Sequence, residues 1–238
     1  MRTTELTPRL RSVADLVPQG ARLADIGTDH AYLPAWLILH GVIDQAIAAD
    51  LRKGPLDRAR QTAEKYGLGE RMSFRLCNGL AGISARETDV IAIAGMGGET
   101  IAEILAAAPW TREGEKLLLL QPMSAQPELR RWLWEHGYTI RREVLSKEGD
   151  TLYVTFQVCA GQMEPLTDGE LWAGRHQRPG EDAPLREEYL ERLTAQTSRA
   201  LDGLRRSTRA SDSGRLAEME RVHQDLLRLK EEWSTWQR

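Results

Sequence analysis

The amino-acid sequence predicts an α/β protein built on a doubly wound, parallel β-sheet. In the first half of the chain, five short apolar runs of strand character alternate with segments of helical periodicity. Each helical segment is long enough for a right-handed crossover between parallel strands. An antiparallel hairpin pattern and then a change of composition follow these elements. The alternation predicts a sheet whose strands all end at one edge, where α/β proteins bind ligands.

Each element is predicted from its apolar pattern and from the residues that stop it. The strands are predicted at Arg22 to Asp25, Gln45 to Ala49, Met72 to Leu76, Val90 to Ala94 and Lys116 to Leu120. The helices are predicted at Leu6 to Val17, Ala31 to His40, Pro55 to Tyr66, Glu99 to Ala107 and Glu128 to His136. The hairpin is predicted at Tyr138 to Leu145 and Leu152 to Val158. Its polar turn lies at residues 147–150.

A composition change at Ala160 divides the chain into two predicted domains, residues 1–159 and 160–238. The second begins with a loop-rich piece containing several glycines and prolines. Two long segments with leucine stripes at helical spacing follow, from about Leu185 to Arg206 and from about Asp212 to Trp236. Two such stripes joined by a short turn, residues 207–211, predict an antiparallel, coiled-coil-like helical hairpin.

Composition excludes several classes of protein. The chain has 238 residues and a formal net charge of -3, with a pI near 6.0, so a polynucleotide partner would have to bind a local basic patch. The two cysteines form no C-x-x-C pair, and the histidines are scattered, so we expect no zinc site, other metal or disulfide framework. No segment resembles a signal peptide or membrane span. We expect a cytoplasmic protein.

The stretch from Asp25 to Pro34 is the most informative part of the chain. An apolar run ends on Asp25 and turns through Gly27 toward a helix, with Asp29 and His30 at its entrance. The G-x-G-x-x-G signature of dinucleotide sites is absent, and an acidic Asp29 would repel a pyrophosphate. The Asp29 carboxylate suits a positively charged sulfonium, so S-adenosylmethionine (SAM) fits this site better than NAD. Alternatively, this is an ordinary βα turn in which His30 is only a hydrogen-bonded structural residue.

Two further segments place polar groups at the same predicted edge. Asp50, followed by Leu51, ends the second strand, where a carboxylate can accept both hydroxyls of a ribose. Asn78-Gly79-Leu80 follows the third strand, where an amide can contact an adenine edge. The alternatives are a solvated carboxylate that caps the next helix and an Asn-Gly turn without a ligand.

The fourth and fifth strands end on unusual residues. Gly95, Met96 and Gly97 form a flexible turn whose free N–H groups face the expected position of the transferable methyl. Alternatively, the glycines serve only close helix packing. Gln121, at the end of the fifth strand, either steers a base with its amide or caps the next helix.

These motifs resemble a known family, the bacterial tRNA methyltransferases that modify N1 of adenine 22. The resemblance covers almost the whole chain, from residues 6–10 through 25–34, 94–98 and 121–122 to the final helices. It implies a Rossmann-like, class I SAM-methyltransferase domain and a terminal hairpin that helps to hold tRNA. The implied cofactor contacts are Asp25, Gly27, Asp29, His30, Asp50 and Asn78. Similar proteins usually have Asp-Gly-Leu where this chain has Asn78-Gly79-Leu80. They usually have Gln-Pro-Asn where this chain has Gln121-Pro122-Met123.

The expected reaction is a direct in-line displacement by adenine N1, whose lone pair needs no prior deprotonation, with S-adenosyl-L-homocysteine as the product. Positioning and desolvation would supply most of the acceleration. The base must first be unpaired or flipped out, because N1 lies on the Watson–Crick edge. Asp29 is the candidate to steer the amino group or accept its proton, Gly95 and Met96 would flank the transfer, and Tyr32 is a candidate stacking wall.

For tRNA we predict a composite of phosphate contacts. Its members are Arg9, Arg11, Arg52, Lys53, Arg205, Arg206 and Arg209. Alternatively, each is a solvated helix charge.

Two other functions stay open: methylation of another RNA or a small molecule, and an inactive nucleotide-binding module that uses its hairpin for protein assembly. For the enzyme we expect a monomer.

Overall fold

The computed structural model of the protein describes residues 5–175, 183–206 and 212–236. The chain divides into two compact units. The first comprises Met1–Ala125 and Trp132–Met163, and the second comprises Gln126–Arg131 and Glu164–Arg238.

The first unit contains a seven-stranded sheet with the order β3-β2-β1-β4-β5-β7-β6. The strands are β1 (Leu23–Ile26), β2 (Ala46–Asp50), β3 (Met72–Leu76), β4 (Val90–Gly97), β5 (Leu117–Ser124), β6 (Tyr138–Glu148) and β7 (Thr151–Ala160). β1 to β5 are parallel, and β7 pairs antiparallel with β5 and β6. The predicted five parallel strands closed by a hairpin are confirmed. β7 includes Ala160, one residue past the predicted end of the first domain.

Helices connect the strands as predicted, with shifted ends. They are α1 (Pro8–Ala14), α2 (Tyr32–Leu39), α3 (Lys53–Tyr66), α4 (Gly98–Ala106) and α5 (Gln126–Glu135). A short 3₁₀ helix, Pro109–Arg112, follows α4. α1 is shorter than the predicted Leu6 to Val17 at both ends. Thr7 caps its start immediately before Pro8, and the helix ends at Ala14.

β4 and β5 run past their predicted ends at Ala94 and Leu120. The glycines in β4 predicted a break there, but the strand continues through two irregularities of the β4–β5 register, between Ala94 and Met96 and between Met96 and Gly97. The longer strands carry Met96 and Gln121 to the carboxyl edge of the sheet.

The core of the first unit explains the near-continuous apolar runs in the sequence. All four residues of β1 and all five of β2 are buried. Parallel strands covered on both faces read as continuous hydrophobic runs, because neither face is exposed to water. Val13 of α1 and Leu37 of α2, both 0% exposed, belong to the same core.

The second unit contains α6 (Asp168–Ala173), α7 (Ala183–Arg205) and α8 (Asp212–Trp236). The two predicted long helices are present, and the predicted turn at residues 207–211 lies outside the described residues. Their leucine stripes pack together as predicted. The buried cluster comprises Ala173, Leu190, Leu193, Val222, Leu226, Leu229 and Trp233.

α6 lies in the piece that the sequence analysis treated as loop. Thr167 and Glu170 form a capping box that starts the helix. At its other end, Arg130 donates to the Leu171 and Trp172 carbonyls, and Arg186 donates to those of Ala173 and Gly174. These bonds satisfy carbonyls that a short helix cannot satisfy itself.

Among the described residues, no helix is long and apolar enough to cross a membrane. Within the same ranges, no group of three or more His, Cys, Asp or Glu side chains could hold a metal ion.

Candidate active site

A cavity of about 280 Å³ opens at the carboxyl edge of β1 to β4. It combines apolar side chains with carboxylates, an amide and exposed glycine backbone. Its lining comprises Ile26, Gly27, Asp50, Leu51, Arg52, Cys77, Asn78, Gly79, Met96, Thr100, Glu103, Ile104 and Ala107. The structure therefore brings together predicted residues from four separate segments of the sequence.

The Gly27 turn forms one wall of the cavity. Gly27 has φ +76°, and its N–H and that of Thr28 both donate to the Ala49 carbonyl, at 2.8 and 3.0 Å. A Cβ at Gly27 would collide with the thiomethyl of Met96. The position therefore needs glycine both for its backbone conformation and for the space above it.

Thr28 organises this turn, and the sequence analysis missed its role. Its hydroxyl oxygen accepts the N–H of Ala31 at 3.1 Å. Ala31 starts α2 in the left-handed conformation, with φ 52°, which is uncommon for a residue with a Cβ. The threonine between Gly27 and Asp29 is the signal that could have predicted this contact.

Asp25 lies buried in β1, directly before the cavity-lining Ile26, and is not itself part of the lining. Burial raises the pKa of its carboxyl to about 6, and the nearby Asp50 carboxylate adds to the rise. A hydrogen bond with the Thr28 hydroxyl acts in the opposite direction. The site thus contains a carboxylate whose ionised form lacks full compensation and which a cationic ligand would stabilise.

Asp50 ends β2 and lines the cavity with Leu51. One carboxylate oxygen accepts the Arg52 N–H at 2.7 Å, and the Arg52 guanidinium lies 3.9 Å away. The Asp50 side chain is only 8% exposed, whereas Leu51 is 64% exposed. A backbone N–H therefore fixes Asp50 at the strand end where ribose binding was predicted, and its second oxygen accepts no hydrogen bond from the described residues.

Asn78 and Gly79 line the cavity, but Leu80 does not. Gly79 adopts φ +54° close to Ile104, and Ala81 donates to the Asn78 carbonyl at 3.1 Å, so the segment is a turn. The Asn78 side chain has no hydrogen-bond partner within the described part of the chain and is exposed at the cavity. Leu80 is 3% exposed and packs as a core residue.

Asp29 and His30 lie outside the cavity lining. Asp29 forms an ion pair with Arg58, whose Nε lies 3.0 Å from Oδ1, and lies 3.5 Å from His30 Nε2. The His30 ring stacks on Tyr32, with centroids 4.9 Å apart. Both aromatic rings are partly exposed, so they form a small shelf beside the Gly27 turn.

Each glycine at the end of β4 and the start of α4 has a structural reason. Gly95 adopts φ +80°, a Cβ at Gly97 would lie 3.2 Å from the Ser124 hydroxyl, and a Cβ at Gly98 would collide with the Ala125 carbonyl. Backbone conformation therefore accounts for Gly95, and close packing accounts for Gly97 and Gly98. Met96 is the residue of this turn that contacts the cavity.

Gln121 links the ends of β4 and β5 to α1. Its side chain is 0% exposed, and its Oε1 accepts both the Gly95 N–H at 3.0 Å and a guanidinium N–H of Arg9 at 2.8 Å. It does not cap α5, whose N-cap is Ala125. Its Nε2 lies 3.6 Å from the sulfur of Met123, which is 47% exposed.

Most of the predicted tRNA contacts already have a carboxylate partner. Arg11 pairs with Asp15 at 2.6 Å, Lys53 with Asp57 at 3.5 Å and Arg205 with Glu220 at 3.1 Å, as Arg52 does with Asp50. Arg9 and Arg206 form no ion pair within the described ranges. Arg209 lies outside them.

One wall of the cavity, formed by α4 and its C-cap residue, was not predicted from the sequence. Thr100, Glu103, Ile104 and Ala107 lie on this side. Their spacing of three or four residues places them on one helical face, which is the signal that could have identified them.

The lining fits S-adenosylmethionine. Ile26, Met96 and Ile104 provide apolar surface for an adenosine, and Asp50 and Asn78 provide an acceptor and an amide at its rim. The buried carboxylate of Asp25 favours a ligand of positive charge. The strand order, the single-glycine turn and this cavity define a class I SAM-dependent methyltransferase.

Comparison with known proteins gives the same class and a narrower family. Residues 6–156 match the family described as "Methyltransferase domain". The tRNA (adenine(22)-N(1))-methyltransferase of Bacillus subtilis is 39% identical over 169 residues, 71% of each chain. The crystal structure of B. subtilis TrmK covers 95% of this chain and 99% of its own, at 30% identity and a TM-score of 0.83. A Streptococcus pneumoniae protein solved with S-adenosyl-L-methionine covers 92% of this chain and 100% of its own, at 34% identity and a TM-score of 0.78.

The chain belongs to the family of bacterial tRNA (adenine-22 N1)-methyltransferases. The resemblance found in its sequence motifs is therefore confirmed, as is the Rossmann-like fold.

Proposed function

We propose that this protein transfers the methyl group of S-adenosylmethionine to N1 of adenine 22 in tRNA. The observation that carries the proposal is the cavity at the carboxyl edge of the sheet, lined by Gly27, Asp50, Asn78 and Met96, in a chain of this family. SAM supplies an electrophilic methyl group, which the in-plane lone pair of adenine N1 attacks directly.

The protein's own contribution is binding and orientation. Asp50 and Asn78 hold the cofactor at its ribose and base, and Gly27 lets the backbone approach it. Met96 lines the cavity, and the preceding Gly95 is exposed. In this proposal the target base approaches the cofactor from the side of these two residues. Because N1 needs no deprotonation, the reaction needs no general base to activate it. Asp29, which is ion-paired with Arg58, then only steers the adenine amino group.

Residues 1–159 form the catalytic domain in this proposal, and residues 160–238 contact tRNA through the α7–α8 hairpin. Arg9 and Arg206 are the candidates for phosphate contacts whose charge is not already paired within the described part of the chain. The protein works in the cytoplasm as a monomer, without a metal.

The test is to incubate the protein with methyl-labelled SAM and unmodified tRNA and to identify the labelled nucleoside. We expect 1-methyladenosine at position 22 and no label in a tRNA with guanine at that position. Label in another nucleoside, or none in tRNA, would contradict the proposal.

A further inference from the structure

Arg9 holds an unusual position for a positively charged side chain. It lies on α1, near the start of the chain, yet its Nη1 donates to Gln121 at the carboxyl end of β5, at 2.8 Å. The same Nη1 lies 3.4 Å from where a Cβ at Gly95 would be. The guanidinium therefore lies in front of the exposed Gly95, which precedes Met96 of the cavity lining.

The surroundings of Arg9 leave its charge uncompensated. Its guanidinium is half-buried and lies 5.8 Å from the centroid of the Tyr153 ring. Within the described ranges, its polar contact is the neutral amide of Gln121, and no carboxylate pairs with it. A guanidinium has five N–H donors in a fixed fork, so several remain for an anion.

The fold fixes Arg9 in this position. The Ser12 hydroxyl hydrogen-bonds to the Arg9 carbonyl at 2.8 Å and to the buried Thr155 hydroxyl of β7 at 2.9 Å. Val13, in the next turn, is fully buried in the core. α1 is therefore anchored to the sheet, and the guanidinium is held in place before any substrate binds.

The ligand that matches this site is an RNA phosphate. An adenine that leaves its stack to reach a methyl donor brings its own backbone to the rim of the site. Guanidinium groups bind phosphate oxygens in bidentate geometry, and Gly95 offers no side chain that would obstruct them. We propose that Arg9 binds a backbone phosphate next to the target adenosine and holds the extruded nucleotide at the methyl-transfer edge. The inference rests on the proposed function, because it needs RNA as substrate.

The first test compares Arg9→Met with Arg60→Met. Arg60 is a matched control because it also lies over an aromatic ring, that of Phe74, and pairs with no carboxylate among the described residues. For Arg9→Met we expect kcat/KM for tRNA to fall by about 10- to 100-fold, the range of a charged hydrogen bond, with SAM affinity nearly unchanged. The slope of log K for tRNA binding against log salt concentration should become shallower by the amount expected for about one phosphate contact. Arg60→Met should match the wild type, and an Arg9→Met value within about twofold of it would overturn the inference.

The second test separates phosphate binding from a structural role through Gln121. A full-length tRNA is assembled with a single uncharged methylphosphonate linkage on either side of the target adenosine. At one linkage, the wild type should lose about 10-fold or more in kcat/KM, whereas Arg9→Met should lose nothing further. If both proteins lose the same factor at every linkage, Arg9 does not bind phosphate there. Arg9→Gln, which keeps a donor for Gln121, is the second neutral variant should Arg9→Met fail to fold.

Failure of the proposed function gives a different result. In that case the wild type itself transfers no label to unmodified tRNA. If the wild type labels adenine 22 and Arg9→Met does so equally well, only the inference about Arg9 is wrong.

Discussion

Two cavities of nearly equal volume lie at opposite edges of the same parallel strands. The one at the carboxyl edge measures about 280 Å³, and the one at the amino edge measures about 290 Å³. The amino-edge cavity contains Arg22, Arg71 and Glu87, and these side chains are already paired with other protein groups. The carboxyl-edge cavity contains two turns that place glycine at positive φ, Gly27 and Gly79, and the lining carboxylate of Asp50 near the buried Asp25, whose pKa is raised. Volume therefore does not identify the functional site; turns that require glycine and a buried carboxylate with a raised pKa do.

Removal of one carboxylate from each cavity should give the largest contrast. Asp50→Ala should weaken SAM binding by at least about 100-fold, since a carboxylate that accepts two ribose hydroxyls forms two charged hydrogen bonds. Glu70→Ala, in the amino-edge cavity, should leave SAM affinity within about twofold of the wild type. Isothermal calorimetry measures both. Equal affinities for the two variants would show that Asp50 is a helix-capping residue only.

The acids of the two edges should also respond oppositely to pH. Asp25 has its pKa raised to about 6, so the folded protein binds more protons than the unfolded chain between about pH 4 and 6. The free energy of unfolding therefore falls as pH rises through this window. Asp25→Asn should stabilise the ligand-free protein at pH 7.5 by on the order of 2–3 kcal/mol and have little effect at pH 4.

Asp89 provides the control for this prediction. A hydrogen bond from Arg22, 2.8 Å long, is the main reason that its pKa lies below the usual value. Its contribution to stability is present at neutral pH and is lost as pH falls through the lowered pKa, so Asp89→Asn should destabilise at pH 7.5. Denaturant unfolding at both pH values measures the two effects. The same sign for both variants would contradict the assignment of Asp25 as an uncompensated acid.

The sequence predicted the sheet well because burial on both faces leaves a direct apolar signal. β1 and β2, which are buried throughout, lie within one residue of their predicted bounds. The edge strand β3 begins at Met72 and ends at Leu76 as predicted, although only Met72 is buried. The ends of β4 and β5 were not predictable, because glycine is typical of both a turn and a bulge within a strand. α6 has only six residues, too few to show a periodic pattern, although its capping residues Thr167 and Glu170 are visible in the sequence.

The candidate site was predictable where the chemistry lies at a strand end, as for Gly27, Asp50 and Asn78. Contacts between distant side chains were not. The pair Arg9 and Gln121 is separated by 112 positions, and Asp29 and Arg58 by 29. No local pattern specifies where such flexible side chains point, since their rotamers are chosen by tertiary packing.

A pair of buried threonines should separate stability from function at a smaller scale. Thr28→Val removes the acceptor for the Ala31 N–H and the hydroxyl that hydrogen-bonds to Asp25. Thr88→Val removes a hydroxyl that donates to the Arg22 and Val90 carbonyls at 3.0 and 2.7 Å. Each should cost about 1–2 kcal/mol of unfolding free energy, the cost of an unsatisfied buried group. Only Thr28→Val should also weaken SAM binding, because only its turn forms the cavity wall. Equal SAM affinity in the two variants would mean that the Ala31 conformation does not matter for the site.

The smallest expected effect is that of Asp29→Ala. Asp29 lies outside the cavity lining, so its contribution to cofactor binding and its contribution to catalysis have to be separated. Its side chain is 59% exposed and shares its charge with Arg58, so loss of a steering contact should lower kcat by only about 10-fold. Asp44→Ala is the matched control, since Asp44 is an exposed aspartate that faces an arginine at the amino edge. Single-turnover rates and SAM calorimetry on both variants distinguish the possibilities. A lower rate with unchanged SAM affinity supports steering of the adenine amino group, because the cofactor is then held entirely by the cavity lining. A loss of SAM affinity would instead make Asp29 a cofactor ligand, which requires its carboxylate to leave Arg58 when the cofactor binds.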